Sequence, residues 1–373
     1  MIAAQQAVHR APHSKLCVLD ACGGIRHLPR SALPDVLRRG DLVVANDAAT
    51  LPASLAGRHL RTTSAIEVRL AGRDSLNDIE RFSAIVFGAG DFRTRTEERS
   101  APPVLVAGDL LALGPLTARV EATLDHPRLI ALRFDGCPDE IWEGLARHGR
   151  PIQYAHLQES LALWDVWTAI AGPPVAFEPP SAGFVLDWQM LSRMRARGIE
   201  FATLTHAAGI SSTGDPALDA RLPFDEPYRI PPSTAAAIRR ARASGRRIVA
   251  LGTTAVRALE HAGRHGGDVR AGDAVATQRV GPTTRLRVVD AVISGTHEPG
   301  TSHHDLLRAF ADAPTLRRLA VELDAHRYLP HEFGDSVLIE RVGCGRVSWA
   351  RELIAATPAG ESPRSTTLEK LVG

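Results

Sequence analysis

A change of texture inside the chain sets its fold class. Between about residues 59 and 149 the segments "AIEVRLAG", "FSAIVFGAG", "PVLVAGDLLALG", "ARVEATLD" and "LIALRFDG" follow one another, each short, apolar or alternating, and closed by Gly, Pro or Asp. Strands of that length, spaced by turn residues, predict a small barrel or compact sheet. "FRTRTEERSAPP" is expected as an exposed loop within it. On either side of this block strands alternate with helices. Upstream, "SKLCVLD", a Gly-Gly turn and "IRHLP" predict a hairpin, "LPDVLRRG" a short helix stopped by Gly40, and "DLVVAN" a strand. Downstream, "DWQMLSRMRARG" predicts a helix stopped by Gly198, "IEFATLTH" a strand and "PPSTAAAIRRARASG" a helix with Pro at its start and Gly245 at its end. "RRIVAL", "TTAVRALEHA", the strand-like "RLRVVDAVIS" and the helix "HHDLLRAFAD" complete the alternation. The expected fold is an α/β main domain with a mixed sheet and flanking helices, residues 1–58 plus 150–356, interrupted by an inserted small β-barrel domain, residues 59–149. Residues 357–373 are expected to be a flexible tail.

Several function classes lose ground on composition. Of the 373 residues, 44% are hydrophobic and 23% charged, the balance of a water-soluble globular protein. No run approaches the roughly 20 apolar residues that span a bilayer. "MIAAQQAVHRAPHS" lacks the apolar block of an export signal, so no membrane association and no export are expected. Cysteines at 17, 22, 137 and 344 form neither C-x-x-C nor zinc-finger spacing, which fits a reducing, cytoplasmic compartment. The net charge of +2 does not announce a nucleic-acid binder, although six arginines and no acid lie between Arg229 and Arg247. A solvated helix face and a phosphate contact both account for that run.

Four stretches can carry chemistry. In "RRIVALGTTAVRALEHA" an apolar strand stops at Gly252, and Thr253 and Thr254 open a helix. Such a corner offers unpaired N–H groups and hydroxyls at a positive helix end, suited to a carboxylate, a phosphate or sugar hydroxyls. A Thr N-cap on a core helix, with Arg257 and Glu260 paired three residues apart on its surface, is the plainer account. In "ISGTHEPGTSHHDLLRAF" a strand runs into a loop holding His297, Thr301, Ser302, His303 and His304. Adjacent histidines at a helix start point apart, so no metal is expected, and an active-site loop using His297 stands against an N-cap loop with solvated histidines. "PPVAFEPPSAGFVLDWQML" is a proline-rich corner ahead of a helix, and "FGDSVLIERV" puts Asp335 before a strand, either in a turn or as an acid. No G-x-S-x-G, Walker, H-E-x-x-H or Rossmann glycine motif is present.

In order, "GDLVVANDAATLPASLAG", "PPSAGF", "RRIVALGTTAVRALEHA", "VVDAVISGTHEPGTS" and "HRYLPHEFGDSVLI" resemble the S-adenosylmethionine:tRNA ribosyltransferase-isomerase family, the QueA family of queuosine biosynthesis, over nearly the whole chain. The resemblance implies an α/β domain interrupted by a β-barrel and an enzyme using S-adenosylmethionine as ribosyl donor, without a metal. A proton beside the sulfonium leaves, adenine and methionine are expelled, and the ribose is rebuilt on a 7-aminomethyl-7-deazaguanine in tRNA. It implies substrate contacts at Asn46, Asp47, Ser181, Gly183, Gly252, Thr253, Thr254, Arg257, Glu260, Thr301 and Ser302, and catalytic roles for His297, Asp335, Glu226 and His206. The chain is expected to work as a monomer or weak dimer.

The departures from that pattern fall on polar residues. The family's Asn-Asp-Thr-Arg becomes Asn46, Asp47, Ala48 and Ala49, and a further arginine becomes Ser54. "LTHAAGISS" shifts a histidine to His206, "RLPFDE" keeps only Glu226, and "WDVWT" replaces a Tyr-Gln-Thr-Val-Tyr. Three rivals follow: a sulfonium-cleaving paralogue with a small-molecule acceptor or none, a non-catalytic tRNA- or ligand-binding module, and a metal-dependent hydrolase.

Overall fold

The computed structural model describes residues 3–7, 9, 13–298 and 300–342, so the expected tail at 357–373 lies outside the described residues. The chain opens with the hairpin β1 (Lys15–Leu19) and β2 (Ile25–Pro29), the one-turn helix α1 (Leu33–Val36) and the strand β3 (Leu42–Asn46). After the short β4 (Ala49–Thr50) come six strands: β5 (Ser54–His59), β6 (Ala65–Gly72), β7 (Arg81–Phe87), β8 (Leu110–Leu113), β9 (Leu116–His126) and β10 (Leu129–Phe134). Helix α2 (Pro138–His148), β11 (Pro174–Ala176) and α3 (Trp188–Ala196) lead to β12 (Glu200–His206), α4 (Pro216–Asp219), β13 (Glu226–Ile230) and α5 (Pro232–Ala243). The remainder is β14 (Ile248–Leu251), α6 (Thr253–Ala262), β15 (Gly272–Ala276), β16 (Ala291–Gly295), α7 (Ser302–Leu307), α8 (Ala313–Ala325) and β17 (Ser336–Glu340). None of the described helices is long and apolar enough to cross a membrane.

The main sheet runs β15-β13-β12-β3-β14-β16-β17-β1-β2. Its centre, β12, β3, β14 and β16, is parallel, while β13, β15 and β2 lie antiparallel to their neighbours. The central strands read "LVVAN" and "IVAL" and are buried throughout, as strands covered on both faces must be. Helices α5 and α6 cover one face, and α3 with its flanking loop covers the other. The strands β5 to β10 close into a barrel in the order β10-β7-β6-β5-β8-β9. In β9 the inward Leu116, Ala118 and Val120 alternate with exposed neighbours, the period-two pattern that marked the block in the sequence. The barrel starts at Ser54, upstream of the boundary at 59 read from the sequence. Its core is continuous with Phe177, Ala207, Ile210 and Leu222 of the main domain.

Two expectations change. The segment "FRTRTEERSAPP" is not wholly exposed: Arg99 is 4% exposed and, with Arg69, neutralises the buried carboxylate of Glu67 on the outer barrel wall. Within "RLRVVDAVIS" only residues 291–294 join the sheet, in a strand that ends at Gly295, because the amides of 287–289 are bound by a helix side chain described below.

The amino ends of the parallel strands are fastened together. Arg247, just before β14, donates from Nε to Asp41 Oδ1 (3.0 Å) and pairs with Glu340 at the end of β17. All three are buried, so removing the guanidinium would leave Asp41 without its cation and Glu340 with only the mostly exposed Arg38. Arg247→Ala should therefore lower the unfolding free energy by about 3–5 kcal/mol in a denaturant titration. Arg38→Ala, which removes a mostly exposed partner of the same Glu340, should change it by less than about 1 kcal/mol.

Candidate active site

At the opposite edge, where β12, β14 and β16 end, the sheet opens into a cleft of about 1010 Å³. Loops leaving the carboxyl ends of parallel strands form such crevices, because successive connections diverge there. Ala208–Ser212 follow β12, Gly252–Thr254 follow β14, and Ser294–Glu298 form the end of β16 and the loop after it. The barrel loop at Arg95–Glu97 and the stretches 154–156, 178–182 and 330–332 supply the other walls.

The strand-to-helix corner is made by Gly252, whose φ of 98° and ψ of 150° lie in a region that side chains other than glycine rarely adopt. The turn aims the start of α6 at the cleft, with Thr253 and Thr254 on its lining and no side chain capping the helix. Its first amides and the positive end of its dipole face any occupant. The helix is anchored behind by Ala255, Val256, Ala258 and Leu259, all fully buried.

Arg257 and Glu260 are also buried, and they do not form the surface pair that their spacing allows. Arg257 donates from Nε to Gln278 O (2.9 Å), from Nη2 to Phe224 O (2.8 Å) and Ala276 O (2.9 Å), and from Nη1 to Glu226. Glu260 accepts the amides of Arg287 (2.8 Å), Val288 (3.0 Å) and Val289 (2.8 Å), well away from the cleft.

On the facing wall, Ser294 Oγ and His297 Nε2 lie 2.8 Å apart, and the His297 ring stacks on His303 with centroids 4.8 Å apart. Burial, then the neighbouring histidines 303, 331 and 304, push His297 well below the ordinary imidazole range. It is a neutral ring at pH 7, able to hydrogen-bond a heterocycle but carrying no fixed charge. Thr301 caps α7, accepting the amide of His304 (3.2 Å).

Of the residues singled out in the sequence, Glu226, Ser181, Gly252, Thr253, Thr254, Arg257, His297, Thr301 and Ser302 line the cleft together. Glu226 is not a free base, because it accepts Arg257 on one oxygen and the Gly209 amide (2.6 Å) on the other. Six others stand outside the lining. His206 is fully buried behind Glu226 (3.2 Å), and desolvation lowers it to about 4, so it is neutral. Asp335 accepts the amides of Lys15 (2.6 Å) and Leu329 (2.9 Å) and so locks a turn. Asn46 holds the His206 backbone and reaches Thr254 Oγ1 at 3.4 Å, Asp47 accepts Thr205 Oγ1 (2.7 Å), and Gly183 packs on Thr168. Glu260 is the sixth.

Sequence reasoning missed Glu178. It sits in "VAFEPPSAGF", where a lone carboxyl inside an apolar run was the available signal. It is 9% exposed, lines the cleft and accepts the Tyr154 hydroxyl. Burial pushes it up to about 7, against the opposing hydrogen bonds of Tyr154 and Ser211. Nearby Glu332 behaves oppositely: burial would raise it, but His156 at 3.2 Å holds it below its ordinary value. His156 and His331 stack near-parallel with centroids 4.5 Å apart. A metal must lie in the plane of each imidazole it binds, so this group, like His27, Glu322 and His326 at the surface, is read as stacked and hydrogen-bonded rather than as a ligand set.

Two outcomes follow from this geometry. Gly252→Ala should cost about 1–3 kcal/mol in a denaturant titration, from backbone strain rather than collision, since the new Cβ meets nothing closer than 3.5 Å. Glu178 has a folded-state value above its unfolded 4.5, so its contribution is intact below pH 4.5 and is lost as pH rises through about 7. Glu178→Gln should therefore raise the melting temperature by about 2–4 °C at pH 8 and show little gain at pH 5.

A family model described as queuosine biosynthesis protein matches residues 1–339. The S-adenosylmethionine:tRNA ribosyltransferase-isomerase of Symbiobacterium thermophilum is 32% identical over 344 residues, covering 90% of this chain and 95% of the relative. That of Thermus thermophilus is 32% identical over 350 residues, with 90% and 95% covered. The crystal structure of the Thermotoga maritima S-adenosylmethionine tRNA ribosyltransferase aligns over 91% of this chain and 96% of its own, at 22% identity and a TM-score of 0.48.

Proposed function

The chain belongs to the queuosine biosynthesis protein family, and from that premise we propose that it is an enzyme that transfers and isomerises the ribosyl part of S-adenosylmethionine onto a 7-aminomethyl-7-deazaguanine in tRNA. One observation supports the reading above the others: an uncapped helix start, a neutral histidine wall and buried carboxyls face a single chamber. A volume near 1010 Å³ is at the upper end for small-molecule sites and leaves room for a donor and an acceptor base together. The donor's methionine carboxylate suits the amides at the start of α6, and its ribose hydroxyls suit Thr253 and Thr254. The positive sulfur suits the Glu178 side, and adenine suits the neutral His297 edge.

A second reading is favoured by the charge of the lining. Its only cationic side chains among the described residues are Arg95, Arg257 and Arg279, and Arg257 is already committed to Glu226 and three carbonyls. Where the resemblance implies two arginines, Ala49 is 4% exposed in a strand, and Ser54 donates to Glu67 (2.8 Å) on the barrel. A chamber with so little positive charge for a phosphate backbone fits a paralogue that cleaves the same donor with a small acceptor or none.

Incubation with S-adenosylmethionine should release adenine and methionine, measured by chromatography. Release that depends on tRNA carrying 7-aminomethyl-7-deazaguanine supports the first reading. Release without tRNA supports the second, and no release and no binding in calorimetry overturns both.

A further inference from the structure

The cleft contains two glutamates, Glu178 buried and Glu332 half-buried, that their surroundings drive in opposite directions. Glu332 is held ionised by His156, whose Nε2 lies 3.2 Å away. Among the described residues no cation contacts Glu178: its carboxyl accepts the phenol of Tyr154, with the Ser211 hydroxyl and amide beside it. Two carboxyls separated in this way mark a division of labour, one kept as a fixed charge and one free to exchange a proton near neutral pH.

The position fits that role. Glu178 lies two residues past strand β11 and precedes Pro179 and Pro180, whose fixed φ angles restrict the backbone beneath the carboxyl. Tyr154 is braced from the barrel side by the Arg69 guanidinium, 5.7 Å from its ring centroid. The same proline-rich segment brings Ala182 to within 3.5 Å of where a Cβ on Gly252 would stand, so the Glu178 loop and the start of α6 are adjacent walls of one chamber. Several other candidates for proton transfer are engaged elsewhere, and Glu97, Glu298 and Asp305 are exposed rather than enclosed. Glu226 binds Arg257 and an amide, Glu332 binds His156, and His206 is sealed from the cleft. His297 has its Nε2 at Ser294.

We propose that Glu178 is the general base of this site, taking a proton from the ribose carbon bonded to the sulfonium of S-adenosylmethionine. The assignment rests on the donor reading given above. In the step the Glu178 carboxylate forms an O–H bond, the C–H bond breaks, and its electron pair stays on the carbon beside the positive sulfur. Tyr154 donates its hydrogen bond to the carboxylate and so sets its basicity, a positioning role. The groups acting on Glu178 are Tyr154, the Ser211 hydroxyl and amide from the loop after β12, and the charge of Glu332 from the turn before β17; Arg69 from the barrel stands over the Tyr154 ring, and His156 and His331 stack beside Glu332.

The test follows deuterium uptake at that carbon by NMR, with the full-length protein and S-adenosylmethionine in heavy water, beside adenine release and donor binding by calorimetry. Glu178→Gln should still bind the donor, weakened by no more than about tenfold through loss of the carboxylate's attraction for the sulfonium, and lose exchange and adenine release by at least about 100-fold. The kcat/KM profile of the unaltered protein should rise through about pH 7, with the carboxylate as the active form. Tyr154→Phe removes the hydrogen bond that favours the carboxylate, so its inflection should move upward, a change that a merely structural tyrosine would not produce. Exchange by Glu178→Gln within about threefold of the unaltered protein overturns the assignment and leaves the donor reading standing. Loss of donor binding by Glu178→Gln shifts the decision to Tyr154→Phe, where an unmoved inflection overturns the assignment and an upward one upholds it. An unaltered protein that does not bind the donor overturns the donor reading and the base with it.

Discussion

The site depends on the buried pair of Arg257 and Glu226. Arg257 carries all its hydrogen-bond donors on one side chain of α6, and it meets β13 through Glu226, the end of β15 through Ala276, and the loops at Phe224 and Gln278. Glu226 extends the linkage to the Gly209 amide and lies against His206 at the end of β12. Taking two charges out of water is costly, and the attraction repays it only where every remaining donor and acceptor is matched. Here the matching partners are mostly backbone carbonyls and an amide, so the pair fixes the relative positions of a helix start and two strand ends. The cleft walls inherit that register, which is why Glu226 acts as scaffold although it lines the chamber.

The sheet treats its two edges differently. At the amino ends of the parallel strands Asp41, Arg247 and Glu340 close one another off, and Asp290 accepts the Ile248 amide (2.9 Å) beside them. At the carboxyl ends the backbone turns away after His206, Leu251 and Gly295, and the polar groups there point into open volume. A helix start left without a side-chain cap and a carboxyl raised to about 7 are each unfavourable for stability taken alone. Both occur at the open edge, where an occupant can satisfy them, and the fastened edge supplies the rigidity that keeps them there.

Most of the fold was legible because its signals are local. The alternation in β9, the glycine stops at Gly40, Gly198 and Gly245, and the strand-turn-helix unit around Gly252 are each set by residues adjacent in the chain. The errors share one physical origin, which is charge buried by distant partners. Arg257 and Glu260 look like a surface pair at a spacing of three, yet their partners lie at Glu226 and at the amides of 287–289. Arg99 sits in a polar stretch with every mark of a solvent loop and is drawn inward by Glu67, 32 residues away. Asp335 and His206 have the residue types of catalytic groups, but one closes a turn and the other fills space behind an ion pair. Glu178 went unread because two prolines beside it pointed to backbone punctuation, and nothing local reveals that Tyr154 and the barrel will enclose it.

The charge balance of the chamber bears on what it can hold. Its lining places Glu97, Glu178, Glu226, Glu298, Asp305 and Glu332 against three arginines. Arg257 cancels Glu226 and His156 pairs with Glu332, while Glu178 near neutrality carries only part of a charge. The interior is therefore close to neutral at its base and acidic toward Glu298 and Asp305, which are exposed. Such a field attracts a cation into a poorly solvated space without a permanent ion pair to bind it there. A sulfonium meets that condition, having a positive charge and no N–H or O–H to donate. Held beside a carboxyl whose ionisation it favours, it would draw Glu178 toward the carboxylate form by simple Coulomb attraction. Binding and activation of the base are then one event, since the arriving charge that needs a partner also creates it.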